Sequence, residues 1–461
     1  MAKIAPLSGF PELLPAQRAV EQQVIDTLRH TFELHGFAGI ETRAVEPLDQ
    51  LLRKGDTSKE VYLLRRLHEE SAEGHAGLGL HFDLTVPFAR YVLENAGKLD
   101  FPFRRYQIQR AWRGERPQEG RFREFTQADI DVVGRDSLAF HHDVEVTRVM
   151  VDALTRLDFL PAFRLQVNNR KLIQGFYAGL GIGADNGETD EVMRLVDKLD
   201  KLPVDKVRDL LLQVAGVSVE TADRVLELAT ISSDDDSFVA AVRSLGVEHE
   251  LLDEGISELS ALVRGCADLV SDRVRVTADL SIARGLDYYT GTVFETRLDG
   301  YESMGSICSG GRYDALASDG RTTYPGVGIS LGVSRVVVPL LARTGLTASR
   351  SVPSAVLVAV VDDGSRAVSE AVAADLRRRD IPCEVAPDAA KFGKQIRYAE
   401  RRGIPFVWFV QDDVDGQRAH QIKDIRSGDQ VEADPSTWTP PEADLRPQVV
   451  STSTTDLEEN Q

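Results

Sequence analysis

RAWRGERPQEGRFREFTQADIDV, spanning Arg110 to Val132, reads as a strand, an arginine-rich loop and a second strand. Gly114, Pro117 and Gly120 shape a turn between two stretches that alternate polar and apolar residues, as an antiparallel sheet with one covered face requires. The arginines of such a loop can clamp a polyphosphate through forked, charge-assisted bonds. Phe122 and Phe125 offer flat faces to a base, and Arg123 offers a guanidinium plane. No GxGxxG or P-loop pattern accompanies them, so a nucleotide bound here is expected to be held by side chains rather than by a helix N-terminus.

Further strands are expected around this pair, at Gly39 to Val45, Leu80 to Thr85, Phe103 to Gln109, Arg164 to Val167, Val274 to Ala278, Thr292 to Arg297 and Gly326 to Leu331. Helical spacing marks Pro15 to about Leu34, Asp143 to Leu157 and Gly332 to about Ala342. From about Lys171 to Ala267 nearly everything is helical in period, which reads as an insertion. Thr344 to Pro353, rich in Ser, Thr and Gly, reads as a linker. Beyond it a continuous apolar strand, Ala355 to Val361, opens an alternation of strand and helix through Val410. That alternation predicts a small α/β module with a mostly parallel sheet. The remaining residues, with PPEADLRP and STSTTDLEENQ, lack apolar periodicity and read as a disordered acidic tail.

The 461 residues are too many for one compact core and suggest about three units. No apolar run approaches the roughly 20 residues needed to span a bilayer, and the N-terminus has no signal-peptide core, so a cytoplasmic location is expected. Cys266, Cys308 and Cys383 form no C-x-x-C pair, and no metal site is expected from them. The net charge of −19 argues against a general nucleic-acid coat. Between Arg104 and Arg123, however, seven arginines face only two acids, Glu115 and Glu119. That concentration points to focused phosphate recognition.

The Arg110–Val132 stretch resembles motif 2 of the class II aminoacyl-tRNA synthetases, in the form used by the histidyl-tRNA synthetase family. ARGLDYYTGTVFE (Ala283 to Glu295) resembles that family's histidine-specific signature, and GSICSGGRYDAL (Gly305 to Leu316) its other histidine-pocket motif. GVGISLGVSRV (Gly326 to Val336) resembles motif 3. LHFDLTVPFARY (Leu80 to Tyr91) resembles the loop that meets the amino acid's amino group. The resemblance runs from about Pro6 to Glu432, with the motifs in the family's order.

It implies an α+β fold: a class II antiparallel sheet flanked by helices (1–170 and 268–343), a helical insertion (171–267) and a linker (344–353). A C-terminal α/β anticodon-binding domain (354–431) and a tail (432–461) follow. The implied activity is ATP-dependent activation of L-histidine and its transfer to tRNA(His), with Mg2+ as cofactor and a homodimer as the assembly. By the same resemblance Arg113 and Arg284 are catalytic, on either side of the α-phosphate and the histidine carboxylate. Asp83, Thr85 and Gln127 meet the α-amino group. Asp131 and Tyr288 meet the imidazole, with Tyr289 beside them. Glu115, Arg121, Phe125 and Arg335 join Arg113 in holding ATP, and Arg116, Gln118, Lys391 and Lys394 face tRNA.

Singly, each of these residues has an ordinary reading as a strand aromatic, a turn acid or a surface ion-pair partner. Together, at this spacing, the functional reading prevails. Three departures from the family pattern stand out. Arg43 occupies the position of the motif 1 proline, Ser334 replaces the glutamate before the motif 3 arginine, and Asp83 and Asp131 stand where many bacterial members carry glutamate. The competing function is that of the non-catalytic regulatory paralogue of ATP phosphoribosyltransferase, which lacks the C-terminal domain and generally the full set of motifs.

Overall fold

In a computed structural model, residues 5–52, 60–66, 77–183, 187–214, 216–282, 289–315, 317–412 and 418–451 are described. The chain divides into two compact units, one formed by residues 1–11 and 24–338, the other by 12–23 and 339–461.

The first unit is built on a large, mostly antiparallel sheet, nine-stranded among the described residues. In spatial order its strands are Ala38–Gly39, Phe103–Trp112, Glu124–Val133, Gly326–Gly332, Cys308–Tyr313, Thr292–Leu298, Phe163–Asn169, Val274–Asp279 and Ser232–Ser233. Only two neighbouring pairs are parallel, Ala38–Gly39 with Phe103–Trp112 and Phe163–Asn169 with Val274–Asp279. The helix His141–Thr155 lies against the central strands. Its buried Val146, Val149, Met150, Ala153 and Leu154 recur at the three- and four-residue spacing that makes one apolar helix face. In the helical region Arg170–Gly179 packs on Glu250–Gly265. There, a Cβ at Gly175 would stand 2.1 Å from the Leu252 backbone nitrogen, and one at Gly255 2.1 Å from that of Leu172. Two glycines thus set how closely these helices approach.

The expected strand from Leu80 to Thr85 is corrected. A strand covers Leu78–Leu80, and Thr85–Asn95 is a helix. The Asp83 side chain accepts from the Val86 N–H at 3.1 Å, and Pro87 falls in the first turn, where its missing N–H costs no helical bond. The expected Gly39–Val45 strand is likewise two short pieces, Ala38–Gly39 and Val45–Pro47.

In the second unit the five-stranded sheet runs Cys383–Val385, Val356–Val358, Phe406–Asp412, Arg418–Asp424, Gln430–Glu432. Val356 and Val358 enter one apolar cluster with Leu376 and Trp408, while Leu357 and Ala359 enter another with Ala399 and Phe409. Burial on both faces is why that stretch is continuously apolar. The first three strands are parallel, but the last two are antiparallel. Of residues 418–424 only Ile422 is buried, so apolar pattern alone does not mark that strand.

Two more expectations are corrected here. Leu346–Ala348, within the expected linker, pairs antiparallel with Val449–Ser451, within the expected disordered tail. Buried Arg350 donates to the carbonyls of Val352, Pro353 and Asp444. Backbone ladders and one guanidinium order these segments, neither of which leaves an apolar periodicity in the sequence.

Candidate active site

The strand Glu124–Val133 forms the floor. Alternate residues of a strand share a face, so Gln127, Asp129 and Asp131 project together. Opposite them on one neighbour stand Gln109, Gln107 and Arg105, and on the other Gly332, Ser330 and Gly328. A buried band of polar side chains results. Gln127 Nε2 donates to Ser330 Oγ at 2.7 Å, while its Oε1 is buried with no hydrogen-bond partner among the described residues. A buried acceptor left open in this way costs free energy until something donates to it. Tyr313 donates its phenol O–H to Asp131 Oδ1 at 2.9 Å, and burial pushes that phenol well above its ordinary pKa, with Asp131 adding to the rise. Gly328 makes room: a Cβ there would stand 2.2 Å from Asp131 Oδ1.

Above the Gln127 end lies a cavity of about 280 Å3, lined by Arg113, Glu115, Arg121, Phe125, Gln127, Ser330 and Arg335 among others. Arg113 Nε donates to the Phe82 carbonyl at 3.0 Å, and its guanidinium carbon stands 5.1 Å from the centre of the Phe125 ring. The loop carrying Glu115 and Arg121 is folded by Gly120, whose φ of +68° lies in the left-handed region, and by reciprocal backbone bonds between Gln118 and Arg121. Gly9 supports the loop from outside, its carbonyl accepting from the Arg123 N–H at 2.7 Å. Arg335 Nε donates to the Met304 carbonyl at 3.1 Å. The adjacent Ser334 accepts from the Thr126 N–H through its hydroxyl. The short residue in the family's glutamate position therefore ties the motif 3 helix to the motif 2 strand.

The structure thus brings together Arg113, Glu115, Arg121, Phe125, Gln127 and Arg335 around one cavity. Asp131 lies farther along the same strand face, and Asp83 is buried at the start of its helix. Thr85 opens that helix. The Tyr289 ring lies against Gly311, where a Cβ would come within 2.8 Å of it. Arg284 and Tyr288 fall outside the described residues. Arg116 and Gln118 are exposed on the loop, and Lys391 and Lys394 are exposed in the second unit. Phe392 packs edge-on against Phe409 with centroids 4.8 Å apart, so its ring belongs to the module's core.

Not every arginine of the dense segment serves the cavity. Arg104 pairs with Glu145 at 2.9 Å, Arg110 pairs with Glu124, Arg123 donates to the Glu115 carbonyl, and Arg105 is wholly buried beside Asp131. Arg113 and Arg121 are the two of the seven that line it. Arg43 spans Glu46 at 3.1 Å and Glu94 at 3.7 Å, joined by Arg90, so an ion-pair network occupies the motif 1 proline position. Tyr313, within the GGRYD of the histidine-pocket motif, is a further residue of the site, and only its bond to Asp131 reveals it.

Two family models match the chain: Histidyl-tRNA synthetase over residues 9–336, and Anticodon binding domain over residues 355–437. A histidine–tRNA ligase of Cutibacterium acnes is 59% identical over 459 residues, covering 98% of this chain and 100% of that protein. Among solved structures, a histidyl-tRNA synthetase from a Nostoc species matches with a TM-score of 0.82 at 34% identity, covering 94% of this chain and 97% of that one. A Bacillus halodurans protein titled ATP phosphoribosyltransferase regulatory subunit/histidyl-tRNA synthetase matches with a TM-score of 0.70 at 18% identity, over 86% of this chain and 96% of that one. At that identity the likeness is one of fold.

Proposed function

The chain belongs to the histidyl-tRNA synthetase family, and on that premise we propose how its residues perform the two steps of a histidine–tRNA ligase. The enzyme activates histidine with ATP and esterifies it onto tRNA. The regulatory reading is not favoured, because the relatives matched over full length are ligases and the anticodon-binding model is matched as well.

In the first step a carboxylate oxygen of histidine attacks the α-phosphorus of ATP. The bond to the bridging oxygen breaks, pyrophosphate leaves, and histidyl-adenylate remains. The substrate's own carboxylate is the nucleophile, so no protein base is needed. The barrier comes from bringing two anions together and from charge building on the α-phosphate. We assign Arg113 and Arg284 to neutralise that charge in place, by positioning and fixed electrostatics. Phe125 stacks on the adenine, Glu115 holds its edge, and Arg121 and Arg335 clamp the outer phosphates. In the second step a hydroxyl of the tRNA's 3′-terminal adenosine attacks the adenylate carbonyl, and AMP leaves.

Magnesium, when bound with ATP, screens the β- and γ-phosphates. Among the described residues no three His, Cys, Asp or Glu side chains are placed to hold a metal ion together, and Glu115 is the one carboxylate on the described cavity wall. This fits an ion held mainly by phosphate oxygens and water. Asp83, Thr85 and the open Gln127 Oε1 take the α-ammonium, and Asp131, with Tyr288 and Tyr289, takes the imidazole. A pocket whose buried polar groups go unpaired with the wrong amino acid can reject it by ~10⁴–10⁵, so no editing site is required. Arg116 and Gln118 on the loop, and Lys391 and Lys394 on the anticodon module, are assigned to tRNA. A cytoplasmic homodimer completes the proposal, and light scattering of the purified protein tests the dimer.

The observation that carries this assignment is the cavity itself, lined by three arginines, two phenylalanines and the Gln127 carbonyl that has no hydrogen-bond partner among the described residues. The purified protein is expected to exchange pyrophosphate into ATP only when histidine is supplied. Equal exchange with proline or threonine, or none with any amino acid, would defeat the assignment.

A further inference from the structure

Arg105 has none of its surface exposed, and a buried guanidinium is costly unless its partners hold it. It stands in register opposite Asp131 on the adjoining strand. Its Nη2 lies 2.7 Å from Asp131 Oδ2 and 3.9 Å from Asp129 Oδ2. Its guanidinium carbon sits 4.1 Å from the centre of the Phe88 ring, on the helix after Asp83. The other oxygen of Asp131 takes the Tyr313 phenol. Asp131 therefore meets the Arg105 charge at one oxygen and the Tyr313 phenol at the other, and its Oδ1 fills the space that a Cβ on Gly328 would take.

The charges explain why a cation is needed there. Three buried carboxylates, Asp83, Asp129 and Asp131, lie near one another on this face. Burial pushes the Asp129 carboxyl up to about 7, against the pull of Arg105, whose charge lies closer to Asp131 than to Asp129. An aspartate also has a shorter reach than a glutamate and cannot correct a poor position with an extra torsion, so its aim depends on what clamps it.

We propose that Arg105 is a positioning residue for amino-acid specificity, fixing Asp131 so that its carboxylate meets the imidazole of histidine. The inference rests on the assignment of Asp131 to the imidazole. It extends the histidine site to a residue set behind the side chains that touch substrate and acting through Asp131.

The test is histidine-dependent pyrophosphate exchange by wild-type enzyme, Arg105→Gln and Arg105→Lys, with folding checked by thermal melting. Arg105→Gln is expected to raise the KM for histidine by about tenfold or more while the KM for ATP stays within about twofold. Arg105→Lys, which keeps the charge, is expected to recover part of the loss. An unchanged histidine KM, or histidine and ATP constants rising together as in a generally loosened site, overturns the inference. Should the glutamine variant fail to fold, the lysine variant decides alone: a selective rise in histidine KM supports the inference, and wild-type behaviour overturns it. Wild-type enzyme without histidine-dependent exchange would instead overturn the ligase assignment, and the inference with it.

Discussion

Ser334 Oγ accepts the backbone N–H of Thr126 at 2.9 Å, across 208 positions of sequence. The bond joins the helix that presents Arg335 to the strand that presents Gln127, so both sides of the cavity share one polar link. Ser334→Ala leaves that N–H without its acceptor and is expected to cost about 1–3 kcal/mol of stability. Chemical denaturation measures the loss. A variant as stable as wild type would show that the link is dispensable.

Arg113→Ala is expected to lower histidine-dependent exchange by about 10²–10³, the loss typical of removing one fixed charge-stabilising donor. The comparison is made at saturating ATP and histidine, because the effect belongs to turnover rather than to binding. Retention of normal turnover would remove Arg113 from its assigned role.

Gly328→Ala places a methyl group where Asp131 Oδ1 now lies, 2.2 Å from the ideal Cβ position. Either the carboxylate or the strand must move. A rise of about tenfold or more in histidine KM is expected, with a smaller change for ATP. Steady-state exchange at varied histidine concentration reads it directly.

Asp129 is raised from 3.8 to about 7, chiefly by desolvation and further by Asp131 and Asp83, against the pull of Arg105. The folded protein thus keeps a proton that the unfolded chain releases. Its contribution to stability is fully present below about pH 4 and is lost as pH climbs through about 7. Asp129→Asn removes this dependence. The variant's Tm should fall less than the wild-type Tm between about pH 5 and pH 8, and parallel melting curves across that range would contradict the prediction.

Reversing Lys391 and Lys394 to glutamate puts negative charge on an exposed part of the anticodon module. The kcat/KM for tRNA charging is expected to fall by about tenfold or more, most strongly at low salt, with amino-acid activation unchanged. Charging and exchange assays on the same preparation separate the two effects.

The main strands were legible because their side chains alternate, and the second unit's first strands because they are apolar on both faces. The family resemblance implies a shared site for Arg113, Phe125 and Gln127, and the structure brings them to one cavity. What lay hidden was pairing between distant residues. Nothing local distinguishes Arg105, buried against Asp131, from Arg121, which lines the cavity. The role of Tyr313 depends on a partner 182 positions away. Ser334 looked like a lost glutamate, yet its hydroxyl fits a backbone donor that only the assembled sheet brings near. The Leu346–Ala348 and Val449–Ser451 ribbon rests on main-chain bonds, which any sequence can supply.

That ribbon sets the entry of the C-terminal module beside its exit. A cassette cut from Leu346 to Ser451 would carry both halves of its own clasp, whereas one trimmed before Val449 would leave the first strand unzipped. Grafting, circular permutation or affinity-tag placement on this module should therefore respect the clasp, with additions made beyond Ser451.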